Sequence, residues 1–250
     1  MEIRYEKHWS GYLNREMEFK VYGHAGRPVL FIPCQAGRFW DFEGFNMDKT
    51  WAPWIEAGEV MVFACDSIDN EAWAALGADK RWRIENHEKW FNYITRELVP
   101  AINHIAGTAN GYHQGIMTFG ASMGAMHAAN LFFRRPDLFN AVFAISGLYD
   151  SQWAFGDYMD DLLYQNSPVN YLSNMPNDHY YIDMYNNRKM VIVVGQGAWE
   201  DDLKASTARL QGVLRNKGIH AQVDFWGFDV DHDWPWWFKM VEYYVPQFLY

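Results

Sequence analysis

Ile116-Met117-Thr118-Phe119-Gly120-Ala121-Ser122-Met123-Gly124-Ala125 is an apolar run that meets a Gly-x-Ser-x-Gly pentapeptide and continues into a helix-forming stretch, Ala125 to Phe133. A buried strand, a sharp turn and a helix are predicted in succession, with Ser122 at the apex. The serine backbone is strained at such a turn, and Gly120 and Gly124 leave out side chains that would collide with the neighbouring strand and helix. The hydroxyl of Ser122 is thereby presented above a sheet, where it becomes a nucleophile once a base takes its proton.

The base and its supporting acid are sought downstream, on loops at the carboxyl ends of later strands. Arg188 to Gly195 reads as a buried strand of the parallel type, followed by Gln196-Gly197-Ala198-Trp199-Glu200-Asp201-Asp202. Glu200 is the first candidate acid, since it comes late enough in the loop to turn back over the sheet. Asp201 is the next candidate; it and Asp202 lie where a helix would begin, and carboxylates in a first turn ordinarily cap the helix or complement its dipole. Asp150, beyond the strand ending at Ile145, is a remoter alternative. A further strand, Ala221 to Trp226, leads into Gly227-Phe228-Asp229-Val230-Asp231-His232-Asp233, and His232 is the only histidine after it. His232 is the candidate base. Backbone N–H groups of Met123 and of Gln35 or Ala36 are the expected donors to a substrate oxyanion. The acidic run around His232 lacks the glycine and the distal glutamate of a calcium loop, so no metal is expected. His127 reads as a packing residue, and Cys34 has no base partner in the sequence.

The rest of the chain alternates strands and helices. Arg4 to Trp9 and Glu16 to Tyr22 read as an antiparallel pair; Val29 to Ile32, Val60 to Ala64, Gly115 to Phe119, Ala141 to Ile145 and Met190 to Val194 read as buried strands. Helices are predicted over Glu85 to Ile105, which Pro100 should kink or split, and over Asp202 to Asn216 and Trp234 to Phe248. The fold class is α/β: a mostly parallel, doubly wound sheet with an antiparallel N-terminal strand pair. Two aromatic-rich excursions, residues 36–56 and 148–187, leave the carboxyl edge and are expected to wall a substrate site. Trp153 and Trp234 are the candidate substrate-binding residues; of Trp234, Trp236 and Trp237, two are expected to be packing.

A chain of 250 residues, half of them hydrophobic, suits one domain over residues 1–250. The net charge of −10 opposes nucleic acid and anionic membranes as partners. No apolar run is long enough to span a membrane, and the charged first residues, Met1 to Lys7, lead us to expect a cytoplasmic protein. Cys34 and Cys65 are expected as free thiols on neighbouring strands, although export would make a bridge conceivable. The 13 tryptophans exceed what a core requires and predict an aromatic groove or interface, with self-association left open.

With these stretches placed, the chain resembles the putative-esterase family of the α/β-hydrolase superfamily, the group that includes esterase D and the mycolyltransferases. The resemblance runs through Phe31-Ile32-Pro33-Cys34-Gln35-Ala36-Gly37-Arg38-Phe39, the Ser122 pentapeptide and Val230-Asp231-His232-Asp233-Trp234-Pro235-Trp236-Trp237. It implies the α/β-hydrolase fold and cofactor-free acyl-ester chemistry, with Ser122 as nucleophile, His232 as base and an acid from the loop after Val194. Cys34-Gln35-Ala36-Gly37 departs from the His-Gly-type oxyanion sequence of many esterases. The expected function is a serine carboxylesterase for small, aromatic or sugar esters. An acyltransferase using the same acyl-enzyme and a degenerate binding module are the alternatives.

Overall fold

The computed structural model describes residues 1–249. Eight strands form one sheet in the order β1-β2-β4-β3-β5-β6-β7-β8: β1 (Ile3–Ser10), β2 (Arg15–Tyr22), β3 (Arg27–Ile32), β4 (Val60–Cys65), β5 (Ile116–Ala121), β6 (Phe139–Ile145), β7 (Lys189–Val194) and β8 (Gln222–Phe225). The pairs β1–β2 and β2–β4 are antiparallel, and every later pair is parallel. The helices are α1 (Asp41–Gly44), α2 (Met47–Glu56), α3 (Lys80–Tyr93), α4 (Val99–Asn110), α5 (Met123–Arg134), α6 (Gln152–Phe155), α7 (Asp161–Gln165), α8 (Pro168–Asn174), α9 (Tyr180–Asn186), α10 (Asp201–Asn216) and α11 (Trp234–Tyr244). This is the α/β-hydrolase fold. None of the described helices is long and apolar enough to cross a membrane.

Side-chain alternation splits the core into two layers. Leu30 and Ile32 of β3 face a layer made with α3, α4, α5 and α10, whereas Val29 and Phe31 face one made with α2 and α11. Both faces are covered, which is why the central strands read as continuous apolar runs. The break expected near Pro100 takes the form of a π turn, Ile94–Leu98, between α3 and α4. Pro100 lies in the first turn of α4, where its missing N–H costs least. Pro246 ends the last helix in the same way: α11 passes into a 3-10 turn, Val245–Phe248.

One expectation is corrected. Most of the excursion aromatics do not wall a cleft. Trp51 of α2 is buried beneath the sheet, and Tyr185 of α9 packs on Phe132 and Phe133 while donating its hydroxyl to the Phe133 carbonyl. Of the 13 tryptophans, Trp51, Trp73, Trp90 and Trp237 are buried, whereas Trp9, Trp40, Trp82, Trp153 and Trp199 are exposed. The buried rings fill gaps between sheet and helices.

Candidate active site

The elbow forms where β5 ends. Ser122 has φ 56° and ψ −127°, and its N–H donates to the Ile145 carbonyl of β6. A Cβ on Gly120 would stand 2.4 Å from the Gly124 backbone, and one on Gly124 would stand 2.3 Å from the Ile32 carbonyl oxygen. The glycines therefore let α5 approach both its own strand and the end of β3. Met123 opens α5.

Nε2 of His232 lies 3.0 Å from Oγ of Ser122, and Nδ1 of the same ring lies 3.5 Å from Oε1 of Glu200. Glu200 is 0 % exposed and occupies the position just before the first residue of α10. Its carboxylate accepts a 2.6 Å hydrogen bond from Oγ of Ser146, at the end of β6. The two loops run together as a short ladder: Gly197 N–H donates to the Val230 carbonyl, His232 N–H to the Ala198 carbonyl, and Ala198 N–H to Oδ1 of Asp231. A Cβ on Gly197 would fall 2.3 Å from that Asp231 oxygen, so this ladder requires glycine there. Trp237 meets the His232 ring edge-on at 4.9 Å.

The other candidate carboxylates have different partners. Asp201 points to solvent beside Lys204, Asp150 is bound by Arg209 and Ser206, and Asp233 caps α11. Cys34 and Cys65 are free thiols, and burial, reinforced by Asp41 and Asp69, pushes the Cys34 thiol up to about 12. Such a thiol is not a ready nucleophile.

A cleft of about 190 Å³ opens above Ser122, lined among others by Gln35, Met123, Leu148, Trp153, Trp199 and Asp202. Trp234 is not part of that lining: it stacks flat on Phe45 at 4.5 Å and packs on Trp237. Trp199 stands at the cleft instead, 87 % exposed. Ala36 N–H is already donated to Asp69, and no backbone hydrogen bond occupies the N–H of Gln35. Sequence reading missed Ser146, Trp199 and the cleft position of Asp202. Among the described residues, six non-glycine residues have positive φ: Asn14, Ala36, Asn46, Ser122, Ser146 and Trp199. The two asparagines tolerate that region; the other four all belong to this site, which is where strain is ordinarily stored.

The sheet, the Ser122 elbow and the cleft above it are those of the α/β-hydrolase fold. The chain belongs to the Esterase family, described as "Putative esterase", whose model matches residues 10–242. It is similar to the structure of a ferulic acid esterase at 17% identity and a TM-score of 0.74, covering 99% of this chain and 97% of that one. It is also similar to S-formylglutathione hydrolase from Staphylococcus aureus (12% identity, TM-score 0.67, 100% of both chains) and to MPT51 from Mycobacterium tuberculosis (14% identity, TM-score 0.68, 98% of both chains). No curated protein sequence matches this chain.

Proposed function

We propose that this protein is a serine carboxylesterase that hydrolyses small, aromatic or sugar esters through an acyl-enzyme on Ser122. The observation that carries the reading is the 3.0 Å contact between Nε2 of His232 and Oγ of Ser122, with Glu200 enclosed behind the ring. Ser122 Oγ attacks the ester carbonyl carbon while its proton passes to His232 Nε2. Backbone N–H groups of Met123 and Gln35 receive the negative charge on the carbonyl oxygen. As the ester C–O bond breaks, the departing alkoxide takes the proton from Nε2. A water then gives a proton to Nε2, its oxygen attacks the acyl carbon, and Oγ recovers the proton as the acid leaves. Glu200 holds the Nδ1–H tautomer and offsets the charge on the imidazolium; its 3.5 Å separation is of the kind that shortens when substrate closes the site.

The modest volume of the cleft and the indoles of Trp153 and Trp199 favour a small or planar acyl group over a long chain. A protein of the same fold is a ferulic acid esterase, an enzyme for a planar acid. Ser122→Ala should fold normally and lose roughly 10³-fold or more in kcat on aryl acetates, with no labelling by a fluorophosphonate. Turnover within tenfold of the parent would sink the reading. Product analysis with and without added alcohols separates hydrolysis from acyl transfer.

A further inference from the structure

Behind the cleft lies a buried pair that the chemistry of Ser122, His232 and Glu200 does not use. His127, one turn into α5, and Asp69, in the short 3-10 turn Asp69–Glu71 after β4, are 1 % and 3 % exposed. Nε2 of His127 is 2.8 Å from Oδ1 of Asp69. The second carboxylate oxygen accepts the backbone N–H of Ala36 at 3.3 Å. Asp69 thus touches both structures that carry the oxyanion donors: the helix that begins at Met123 and the loop that brings Gln35 to the cleft.

A buried carboxylate is costly, and packing alone would be served as well by apolar residues. Asp69 borders a hollow lined by Arg15, Arg38, Asp66 and Glu71, whereas His127 is surrounded by rings. His87 stacks on His127 at 5.2 Å, Trp90 lies 5.1 Å away and Trp73 6.4 Å. Burial, helped by His127 and Arg134, holds His87 well below the ordinary imidazole range, so it is neutral. Nδ1 of His127 has no partner, and because a carboxylate oxygen accepts, Nε2 is the donor to Asp69. The bond to Ala36 gives this arrangement a purpose beyond packing. Ala36 has φ 57°, a conformation alanine seldom holds unaided, and it directly follows Gln35.

We propose that Asp69, held by His127, is a positioning residue for the oxyanion donors. It fixes the Ala36 turn against α5 and so sets the separation between the Gln35 and Met123 N–H groups. Preorganised donors lose most of their advantage when their spacing drifts by about 1 Å. The inference rests on the acyl-enzyme reading above, so the parent enzyme is first shown to be labelled at Ser122 by a fluorophosphonate, which also titrates active sites.

Asp69→Ala should then lower kcat per titrated site by about 30- to 100-fold with KM within about threefold. Affinity for an alkyl boronic acid, which places a tetrahedral oxygen among the donors, should fall by a similar factor. Ala36→Val tests the same link at an exposed position, because a β-branched residue resists positive φ without touching the buried pair; it should reproduce the loss in kcat even where Asp69→Ala does not fold. Asp69→Asn, whose amide oxygen still accepts from Ala36 and whose amino group meets the other His127 tautomer, should recover most of kcat. Asp69→Ala and Ala36→Val enzymes that keep kcat per titrated site and boronate affinity within threefold of the parent would overturn the proposal. A parent that is not labelled at Ser122 would instead overturn the acyl-enzyme reading on which it stands.

Discussion

Along one side of the cleft, the loop from Cys34 to Phe39 is bound by the segment after β4: Asp66 accepts from Phe39 N–H and the Arg38 guanidinium, Ser67 donates to the Gly37 carbonyl, and Asp69 takes Ala36 N–H. Across the cleft, Trp153 and Trp199 are 42 % and 87 % exposed. The backbone beneath each is anchored, that of Trp153 by the buried guanidinium of Arg83, which donates to the carbonyls of Ala72, Trp73 and Ala154, and that of Trp199 by the ladder to the His232 loop, but the indoles themselves stand free. The side that would stabilise charge is over-determined by hydrogen bonds, and the side that would meet the substrate is set by two indoles in water. Geometry for the reaction and choice of substrate are thus under separate physical control, and substitutions on the two sides should have separable effects.

The largest effect is expected beneath the cleft, where the buried Glu200 meets His232. Glu200→Gln keeps the shape but loses the charge that offsets the imidazolium, and because Oε1 faces both Ser146 and Nδ1 of His232, the amide must either keep its neutral oxygen there or turn a donor towards the imidazole. A loss of roughly two to four orders of magnitude in kcat is expected, with little change in thermal unfolding. Asp201→Asn, one residue along but facing solvent beside Lys204, should keep most activity. Steady-state kinetics of the two variants side by side decides the matter: an inactive Asp201→Asn next to an active Glu200→Gln would move the acid by one position.

On the open side, Trp199 offers a test in which stability and activity should part company. Its φ of 64° costs an L-residue about 1–2 kcal/mol, which glycine avoids at a smaller entropic cost. Trp199→Gly should therefore raise unfolding stability by about 0.5–1 kcal/mol while lowering kcat/KM for aryl-acid esters by roughly tenfold. Acetyl esters should be affected much less. Denaturant unfolding together with kinetics on the two ester classes checks this; equal losses on both classes would remove Trp199 from acyl recognition.

The strands and the elbow were legible in the sequence because each rests on a local pattern, apolar runs closed by turn residues, whereas the order of the strands in the sheet was not. Chain order alone indicated which loops carry His232 and Glu200 over the carboxyl edge. Ser146 and Asp69 were not legible, since each acts through a partner more than fifty residues away, Glu200 and His127, and no periodicity reports such a pairing. Trp199 was hidden for another reason: tryptophan gives no hint of positive φ, and its neighbour Gly197 shows only that the loop is tight. Trp234 misled because the first turn of a helix beside His232 has two sides, and the stack on Phe45 takes the one facing away from the cleft.

The smallest effect is expected at Asp202, the one carboxylate in the cleft lining. It is exposed at the start of α10, so its charge complements the helix dipole and also reaches into the space above Ser122. At a separation of about 6 Å in largely aqueous surroundings, a unit charge shifts binding by about 1 kcal/mol or less. Asp202→Asn should accordingly raise kcat/KM by roughly two- to fivefold for esters whose acyl group carries a carboxylate and lower it similarly for ammonium-bearing ones. Neutral esters should change less than about twofold, and both charged effects should shrink as salt is raised. Matched esters of the three charge types, assayed at low and high ionic strength, measure this directly. If all three respond alike, Asp202 serves only the helix start, and its replacement should then be felt as a loss of about 0.5–1 kcal/mol of stability with no change in substrate choice.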